Sequence, residues 1–401
     1  MNIILITLDA MRKDSLGIYN NKKSLTPSID RIARQSVVFD NAVTVANSTC
    51  PGHVSIFTGQ SVMTHEIREN GWMWKNKVPL IAEIFAENNY ETCGVSSIEF
   101  LSTYYKMNKG FKKFYNNNPF DKWNYWLTKP QIKIGRYRFR LIAFLRRNKL
   151  IPLIHSRRAN ETNTDAVTWI KKNSKKDFFI WIQYMTGHLE TRELYEEKTR
   201  VVDKAYNELI ETLKTEGILD RTMIVHMADH GEAFHEHEWR GHSWYLYDEE
   251  LMIPFFIYYP EKFRFKRIPN QVRTIDMMPT ILELAGIKYG GKTDGKSLVP
   301  LIEGKEDFKE DAFCECYPVH RISHCIRTYD GWKYIASKDR ENELFNLNED
   351  PEEKNNLAGK EKTLVQRLHE RLEKWIKTGE ETKRQETDEI TKERLKGFGY
   401  L

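Results

Sequence analysis

Two neighbouring side chains near the start of the chain are candidate nucleophiles. Thr49 and Cys50 lie side by side, directly before Pro51, in a segment that runs from Ser48 to Gly59. A threonine hydroxyl becomes a nucleophile near neutral pH only when a metal ion or a base activates it, and this chemistry suits phosphate esters. The thiol of Cys50 is the alternative nucleophile. The segment therefore poses a choice between two adjacent nucleophiles.

Acidic residues follow two apolar stretches that are predicted as strands. Asp9 follows the run of residues 3–8, and Asp229 with His230 comes soon after residues 223–227. In an open α/β sheet the carboxyl ends of the strands form the ligand crevice, so these side chains are predicted to meet there. Carboxylate and imidazole groups together suit a divalent metal ion. The alternative for Asp9 is a cap on the following helix.

Histidines are unusually dense in one segment. Four of them fall within thirteen residues, at His230, His235, His237 and His242. This density predicts contact with a metal ion or a phosphate group, and a solvated loop is the alternative. We expect His235 and His237 to be loop or supporting residues. His188 follows another predicted strand and would reach the same edge of the sheet, although a lone histidine there is more often structural.

Helix and strand patterns alternate through residue 285, which is typical of an α/β sheet with helices on both faces. Strands are predicted at 3–8, 92–96, 178–182 and 223–227, and helices from 26 and at 78–88, 164–172 and 276–285. After residue 304 the pattern changes to short strands at 312–316, 325–328 and 332–336, with a helix at 362–376. We therefore predict a main domain over 1–304 and a small α+β subdomain over 305–401.

Residues 129–158 form a basic segment, with ten Lys or Arg residues and no Asp or Glu. One interpretation is a lid or docking surface for an anionic substrate, a polymer or a membrane face. The alternative is a solvated helical insertion. The segment lacks the folded context of a nucleic-acid-binding module, so no nucleic acid is predicted as a partner.

Composition and cysteine usage favour an ordinary globular protein. The 401 residues carry a formal net charge of +5, and the five cysteines are scattered along the chain. This pattern predicts reduced thiols and a cytoplasmic location. The apolar run at the first residues is too short for a signal peptide, and no run of eighteen apolar residues predicts a membrane span.

Several motifs together resemble the sulfatase-like branch of the alkaline phosphatase superfamily. They are the opening strand and turn at 8–19, the Ser-Ile-Phe-Thr-Gly run at 55–59, and the segments 247–254, 275–286 and 343–358. The resemblance covers nearly the whole chain. It implies a central, mostly parallel sheet flanked by helices, with a small C-terminal α+β subdomain.

The resemblance also implies which of the two nucleophiles acts. The nucleophile of the family lies ten residues before the glycine that corresponds to Gly59, which is the position of Thr49. A sulfatase of the family has a Cys-x-Pro-x-Arg motif, whereas this chain has Thr49, Pro51 and His53 at those places. The Thr-x-Pro-x-His version resembles members that act on phosphate esters. Cys50 is then expected to be a small buried filler.

The remaining site residues are implied by the same resemblance. One divalent ion would be bound by Asp9, Thr49, Asp229 and His230. Mn²⁺ or Zn²⁺ is preferred because Ca²⁺ takes oxygen ligands only, and because Ala10 fills the place of a second acid.

Substrate contacts are implied for Asn70 and His53, and catalytic contacts for His188 and His242. Tyr184 occupies the place where two-metal members have an aspartate, which favours a single ion.

We therefore predict a metal-dependent hydrolase of phosphate mono- or diesters that forms a covalent phosphothreonine at Thr49. The alternatives are a sulfuric ester hydrolase, a phosphotransferase to an acceptor hydroxyl, and a binding protein on an inactive scaffold. A sugar- or polymer-linked anionic ester is among the predicted substrates, and Trp72, Trp74 and Trp123 either line its pocket or belong to the core. The oligomeric state stays open.

Overall fold

A computed structural model describes residues 1–20, 24–75, 78–116, 157–186, 191–317 and 322–379. The predicted roles of His188, of Trp123 and of all but the last two residues of the basic segment therefore lie outside the described residues. No helix among the described residues is long and apolar enough to cross a membrane.

The strands of the described chain number fifteen. They are β1 (Asn2–Asp9), β2 (Val37–Val43), β3 (Glu91–Val95), β4 (Lys113–Tyr115), β5 (Phe178–Met185), β6 (Thr222–Ala228), β7 (Ala233–Phe234), β8 (Arg240–Gly241), β9 (Met252–Ile253), β10 (Phe255–Tyr258), β11 (Lys266–Arg273), β12 (Ala312–Cys316), β13 (Ser323–Arg327), β14 (Trp332–Ser337) and β15 (Glu343–Asn346).

The α-helices lie between and around these strands. They are α1 (Pro27–Ala33), α2 (Thr49–Thr58), α3 (Val62–His65), α4 (Ile81–Glu87), α5 (Ala159–Asn173), α6 (Arg192–Thr215), α7 (Asp248–Leu251), α8 (Met277–Leu284), α9 (Val299–Ile302) and α10 (Lys362–Ile376).

A nine-stranded sheet forms the centre of the protein. Its order is β11-β2-β10-β6-β1-β5-β3-β4, and β9 pairs with β2. The strands from β6 to β4 run parallel, whereas β10 runs antiparallel to both of its neighbours. All eight residues of β1 are buried, which explains its nearly continuous apolar sequence, since a strand covered on both faces needs no polar alternation. The predicted mostly parallel sheet is confirmed.

A second, four-stranded antiparallel sheet lies in the C-terminal region, in the order β12-β13-β14-β15. Helix α10 packs against it through Leu368 and Leu372, which are buried with Tyr334 in one cluster. The predicted small α+β subdomain is thereby confirmed as a structural unit. Its predicted boundary at residue 304 stays a prediction.

A buried ion network joins this subdomain to the main domain. The fully buried Lys333 Nζ lies 2.8 Å from Asp248 Oδ1 and 2.7 Å from Glu353 Oε1. Asp248 begins α7 in the main domain, whereas Lys333 lies on β14. Breaking a buried ion pair leaves an uncompensated charge, so the pairing is expected to matter for stability.

The substitution Lys333→Met tests this network. It is expected to lower the free energy of unfolding by about 3–5 kcal/mol, because Asp248 and Glu353 would lose the cation between them. Urea denaturation measures the change. Lys338→Met, at an exposed position of the same subdomain, serves as the control, and an equal effect of both substitutions would contradict the assignment.

Candidate metal and nucleophile site

Three metal-ligating side chains meet at the carboxyl edge of the central sheet. Asp9 ends β1, and Asp229 with His230 follows the adjacent parallel strand β6. One ligand atom from each lies within 4.8 Å of those of the other two, and all three side chains are buried. The strand-end prediction for these residues therefore agrees with their position in the fold.

The Asp229 carboxylate fits a cation. Its Oδ1 accepts hydrogen bonds from the Ala10 and His230 backbone N–H groups, at 3.2 and 2.9 Å. Its Oδ2 is buried and accepts no hydrogen bond from the described residues. Burial, and next the charge of Asp9, raise the pKa of the Asp229 carboxyl well above its usual range. A divalent ion would offset both costs.

Thr49 is the first residue of α2, beside this cluster. Its Oγ1 donates a hydrogen bond to Asp9 Oδ1 at 3.1 Å, so the hydroxyl lies against a carboxylate of the candidate metal cluster. Cys50 is directed elsewhere, with its Sγ 3.1 Å from the Phe100 carbonyl oxygen. Burial raises the pKa of the Cys50 thiol to about 12. Of the two adjacent nucleophiles, only Thr49 contacts the acidic cluster.

Asn70 approaches the same helix terminus. Its Oδ1 accepts a 2.7 Å hydrogen bond from the Cys50 backbone N–H, which fixes the orientation of the amide. Its Nδ2 is buried and has no hydrogen-bond partner among the described residues. A buried amide donor without a partner is costly, and a substrate oxygen would satisfy it.

His53 lies behind the nucleophile and is fully buried. Its Nδ1 is 2.8 Å from the Thr49 carbonyl oxygen and its Nε2 is 3.0 Å from Thr7 Oγ1. Both ring nitrogens are therefore taken by protein atoms, and neither remains to bind a substrate as the sequence analysis predicts. The helical spacing of four residues places His53 one turn along α2 from Thr49.

The histidine-rich segment divides into two groups. The His242 ring lies 4.3 Å from the His230 ring, and its Nδ1 is 3.0 Å from Glu232 Oε2. His237 instead contacts Glu249 at 2.7 Å and stacks on a tyrosine beside the C-terminal subdomain. His235 is exposed. His230 and His242 thus lie together at the candidate site, and the supporting roles of His235 and His237 stay predictions.

The structure shows where three of the aromatic residues discussed above lie. Trp72 and Trp74 are 2% and 1% exposed, which places them in the core and not on a pocket wall. The hydroxyl of Tyr184 donates to Asn163 Oδ1 at 2.9 Å and is directed towards α5. Among the described residues there is one cluster of potential metal ligands, and the number of ions stays a prediction.

Glu232 is a candidate site residue that the sequence patterns do not single out. It is nearly fully buried, and its carboxylate can only accept a hydrogen bond, so it holds His242 with a proton on Nδ1. In the sequence, the only indication that Glu232 lies near the candidate site is its position three residues after Asp229, in the turn that follows β6. Its pairing with His242 depends on the hairpin of β7 and β8, which brings the two residues together.

Glu232→Gln tests this arrangement. The amide of glutamine can present a donor or an acceptor to His242, so it no longer decides which ring nitrogen carries the proton. We expect kcat to fall about 10- to 100-fold, as is usual when a partner of a site histidine is lost. Glu249→Gln, which alters the equivalent pair with His237, is the control and should leave kcat unchanged. Equal losses in both variants would contradict the positioning role.

Comparison with known proteins identifies the family. The sulfatase family model matches residues 1–287. The chain belongs to the sulfatase family. A second model, described as the C-terminal region of N-sulphoglucosamine sulphohydrolase, matches residues 235–378.

Curated relatives of this sulfatase-family protein are distant. An arylsulfatase of Clostridium perfringens is 24% identical over 447 aligned positions, which cover 90% of this chain and 90% of the relative. Arylsulfatase K of Xenopus laevis is 29% identical over 196 positions, which cover 46% of this chain and 36% of the relative. The match to arylsulfatase K thus spans about a third of that protein.

Solved structures share the fold of this sulfatase-family chain. The phosphonate monoester hydrolase of Agrobacterium radiobacter superposes with a TM-score of 0.72 at 18% identity, covering 94% of this chain and 95% of that one. A protein solved in complex with its substrate D-glucosamine-2-N,6-O-disulfate superposes with a TM-score of 0.73, also at 18% identity, covering 94% and 97%. At such identities the similarity establishes the fold alone.

Proposed function

We propose that this sulfatase-family protein hydrolyses an anionic, sugar-linked ester with Thr49 as the nucleophile. One observation carries the proposal: the Thr49 hydroxyl donates to Asp9 within the buried cluster of Asp9, Asp229 and His230. A weak nucleophile is activated by an adjacent base or by a metal ion. The carboxylate of Asp9 is such a base, and the acidic cluster is a candidate site for the ion.

The reaction divides into two displacements. Thr49 Oγ1 forms a bond to the central sulfur or phosphorus atom, and its proton passes to Asp9. The bond to the leaving oxygen breaks, and that oxygen takes a proton from His242, which Glu232 holds in place. Asn70 Nδ2 donates to a non-bridging oxygen of the transferring group. Water then attacks the same central atom and gives a proton to His242. The bond between that atom and Thr49 Oγ1 breaks, and the threonine oxygen takes its proton back from Asp9.

Asp9, Asp229 and His230 would hold the divalent ion. The ion supplies Lewis-acid stabilisation of the charge that develops on the transferring group. Two carboxylates and an imidazole favour Mn²⁺ or Zn²⁺ over Ca²⁺, which prefers oxygen ligands throughout. Since sulfatases typically bind Ca²⁺, the identity of the ion is a proposal that metal analysis of the purified protein tests.

A sulfuric ester is the first candidate substrate, and the comparisons favour it. The two family models and both curated relatives are described as sulfatases or sulphohydrolases. A sugar carrier is supported by the match to the sulphoglucosamine enzyme over residues 235–378 and by the disulfated glucosamine bound to one structural relative.

A phosphoric ester is the second candidate, and a feature of this chain favours it. The nucleophile is the hydroxyl of Thr49, and the thiol of Cys50 is buried away from the acidic cluster. A sulfated threonine has no easy route of elimination, whereas a phosphothreonine is opened by attack of water on phosphorus. The phosphate preference that the sequence predicts is retained as this candidate.

Model esters that share one leaving group distinguish a sulfuric ester substrate from a phosphoric ester substrate. Turnover of 4-nitrophenyl sulfate, phosphate, phosphodiester and phosphonate should be measured with Ca²⁺, Mn²⁺ and Zn²⁺ in turn. Sulfate turnover well above phosphate turnover supports the first candidate, and the reverse order supports the second. Absence of turnover with every ester and ion would contradict the proposal.

Two further predictions have their own experiments. Added acceptor alcohols distinguish phosphotransfer from hydrolysis. Cell fractionation tests the predicted cytoplasmic location.

A further inference from the structure

A chain of three hydrogen bonds runs beneath the nucleophile. Trp181 Nε1 donates to Thr7 Oγ1 at 2.9 Å, and Thr7 Oγ1 lies 3.0 Å from His53 Nε2. The other ring nitrogen, Nδ1, lies 2.8 Å from the carbonyl oxygen of Thr49. Trp181, Thr7 and His53 are all fully buried, so water does not substitute for any member.

The chemistry of the partners decides where the protons are. A backbone carbonyl can only accept, so His53 Nδ1 must carry a proton and donate it to Thr49. The indole N–H of Trp181 can only donate, so it occupies a lone pair of Thr7. The remaining hydroxyl proton of Thr7 is then directed to His53 Nε2.

The spacing of these residues along the chain links them to the site. Thr7 and Asp9 are two apart on β1 and therefore lie on the same face of the strand. Thr49 and His53 are four apart on α2 and lie on the same face of the helix. The strand and the helix thus meet at two levels, with Asp9 against Thr49 above and Thr7 against His53 below.

The Nδ1–H group of His53 also borders the metal site, because it lies 3.4 Å from Asp229 Oδ2. One imidazole therefore contacts both the backbone of the nucleophile and a candidate metal ligand. A change in its tautomer would replace this donor by a lone pair, which would face the Thr49 carbonyl oxygen and the Asp229 carboxylate. All three groups would then be acceptors, and they would repel each other.

We infer that Thr7 is a positioning residue, which with Trp181 holds His53 in its neutral Nδ1–H form and thereby sets the first turn of α2 and the Thr49 hydroxyl. This inference rests on the proposed function for its effect on turnover. Its effect on His53 is independent of any substrate.

Thr7→Val tests the inference, because valine has nearly the shape of threonine but no hydroxyl. We expect kcat to fall about 10- to 100-fold with KM unchanged, since Thr7 acts on the nucleophile and not on the substrate. Thr7→Ser should restore kcat because it restores the donor. In protein labelled with ¹⁵N-histidine, the His53 Nε2 signal, assigned with a His53→Gln variant, should shift only in the valine variant, because that nitrogen loses the hydrogen bond from Thr7.

A matched control exists on the same helix. Ser55 Oγ lies 2.8 Å from His65 Nε2, and both residues of this hydroxyl–imidazole pair are buried. Ser55→Ala should lower the melting temperature and leave kcat unchanged. Thr7→Val with wild-type kcat, or with a lower kcat but unchanged His53 signals, would overturn the inference. A wild-type protein without turnover would contradict the proposed function, and the ¹⁵N signals would still decide the role of Thr7.

Discussion

Thr49→Ala is expected to reduce kcat/KM by at least about 10³-fold, because the variant has no oxygen to attack the central atom. The Thr49 hydroxyl is buried in contact with Asp9, so its removal leaves a small void and one lost hydrogen bond. Folding should therefore survive the substitution. Steady-state kinetics on the best ester of the panel measures the loss, and circular dichroism checks the fold.

Cys50→Ala is the matched control at the neighbouring position. Cys50 makes its contact with a backbone carbonyl away from the acidic cluster, so its removal should cost stability and not turnover. Mass spectrometry of acid-quenched enzyme should find the covalent group on the peptide that contains Thr49. The opposite outcome, in which Cys50→Ala is inactive and Thr49→Ala is active, would restore the alternative of a modified cysteine.

Removal of the metal is the second change with a large expected effect. Treatment with a chelator should lower kcat by about 10³-fold, which corresponds to several kcal/mol of transition-state stabilisation. Restoring Ca²⁺, Mn²⁺ and Zn²⁺ separately should show which ion rebuilds activity. Full activity in protein shown to be metal-free would contradict the assignment of Asp9, Asp229 and His230 as ligands.

Asp229→Asn separates the ligand role from a structural one. In metal-free protein it should raise the melting temperature, because it removes one of two buried carboxylates that repel each other. With saturating metal the wild-type protein should have the higher melting temperature, since metal binding stabilises the wild type and not the variant. Asp220→Asn, at an exposed position, should change neither value. A variant that is less stable than wild type in both states would contradict the prediction.

Much of the architecture could be predicted because periodicity reflects burial directly. Helix α10 begins and ends where the sequence predicts it, at Lys362 and Ile376, since Leu364, Leu368 and Leu372 mark one face at helical spacing. Strands β2, β10 and β15 were not predicted. Short apolar runs such as Phe255–Tyr258 carry no period, and their pairing partners lie far away in the chain.

The position of the acidic cluster could also be anticipated from local sequence. Asp9 and Asp229 follow apolar strands, and parallel neighbours end at the same edge of a sheet, so a rule about strand ends is sufficient. The preference for Thr49 over Cys50 is implied by the family resemblance, through a count of ten residues back from Gly59. Residue type, spacing and resemblance together therefore indicate the candidate nucleophile and the candidate metal ligands.

The supporting contacts were decided by the tertiary structure alone. Glu232 reaches His242 across a hairpin, and Trp181 reaches Thr7 from a neighbouring strand 174 positions away. His53 has a residue type that suits a substrate contact, yet the turn of α2 places it behind Thr49. Spacing within an element determines which face a side chain occupies, but the proton that it carries depends on partners that only the folded chain brings within hydrogen-bonding distance.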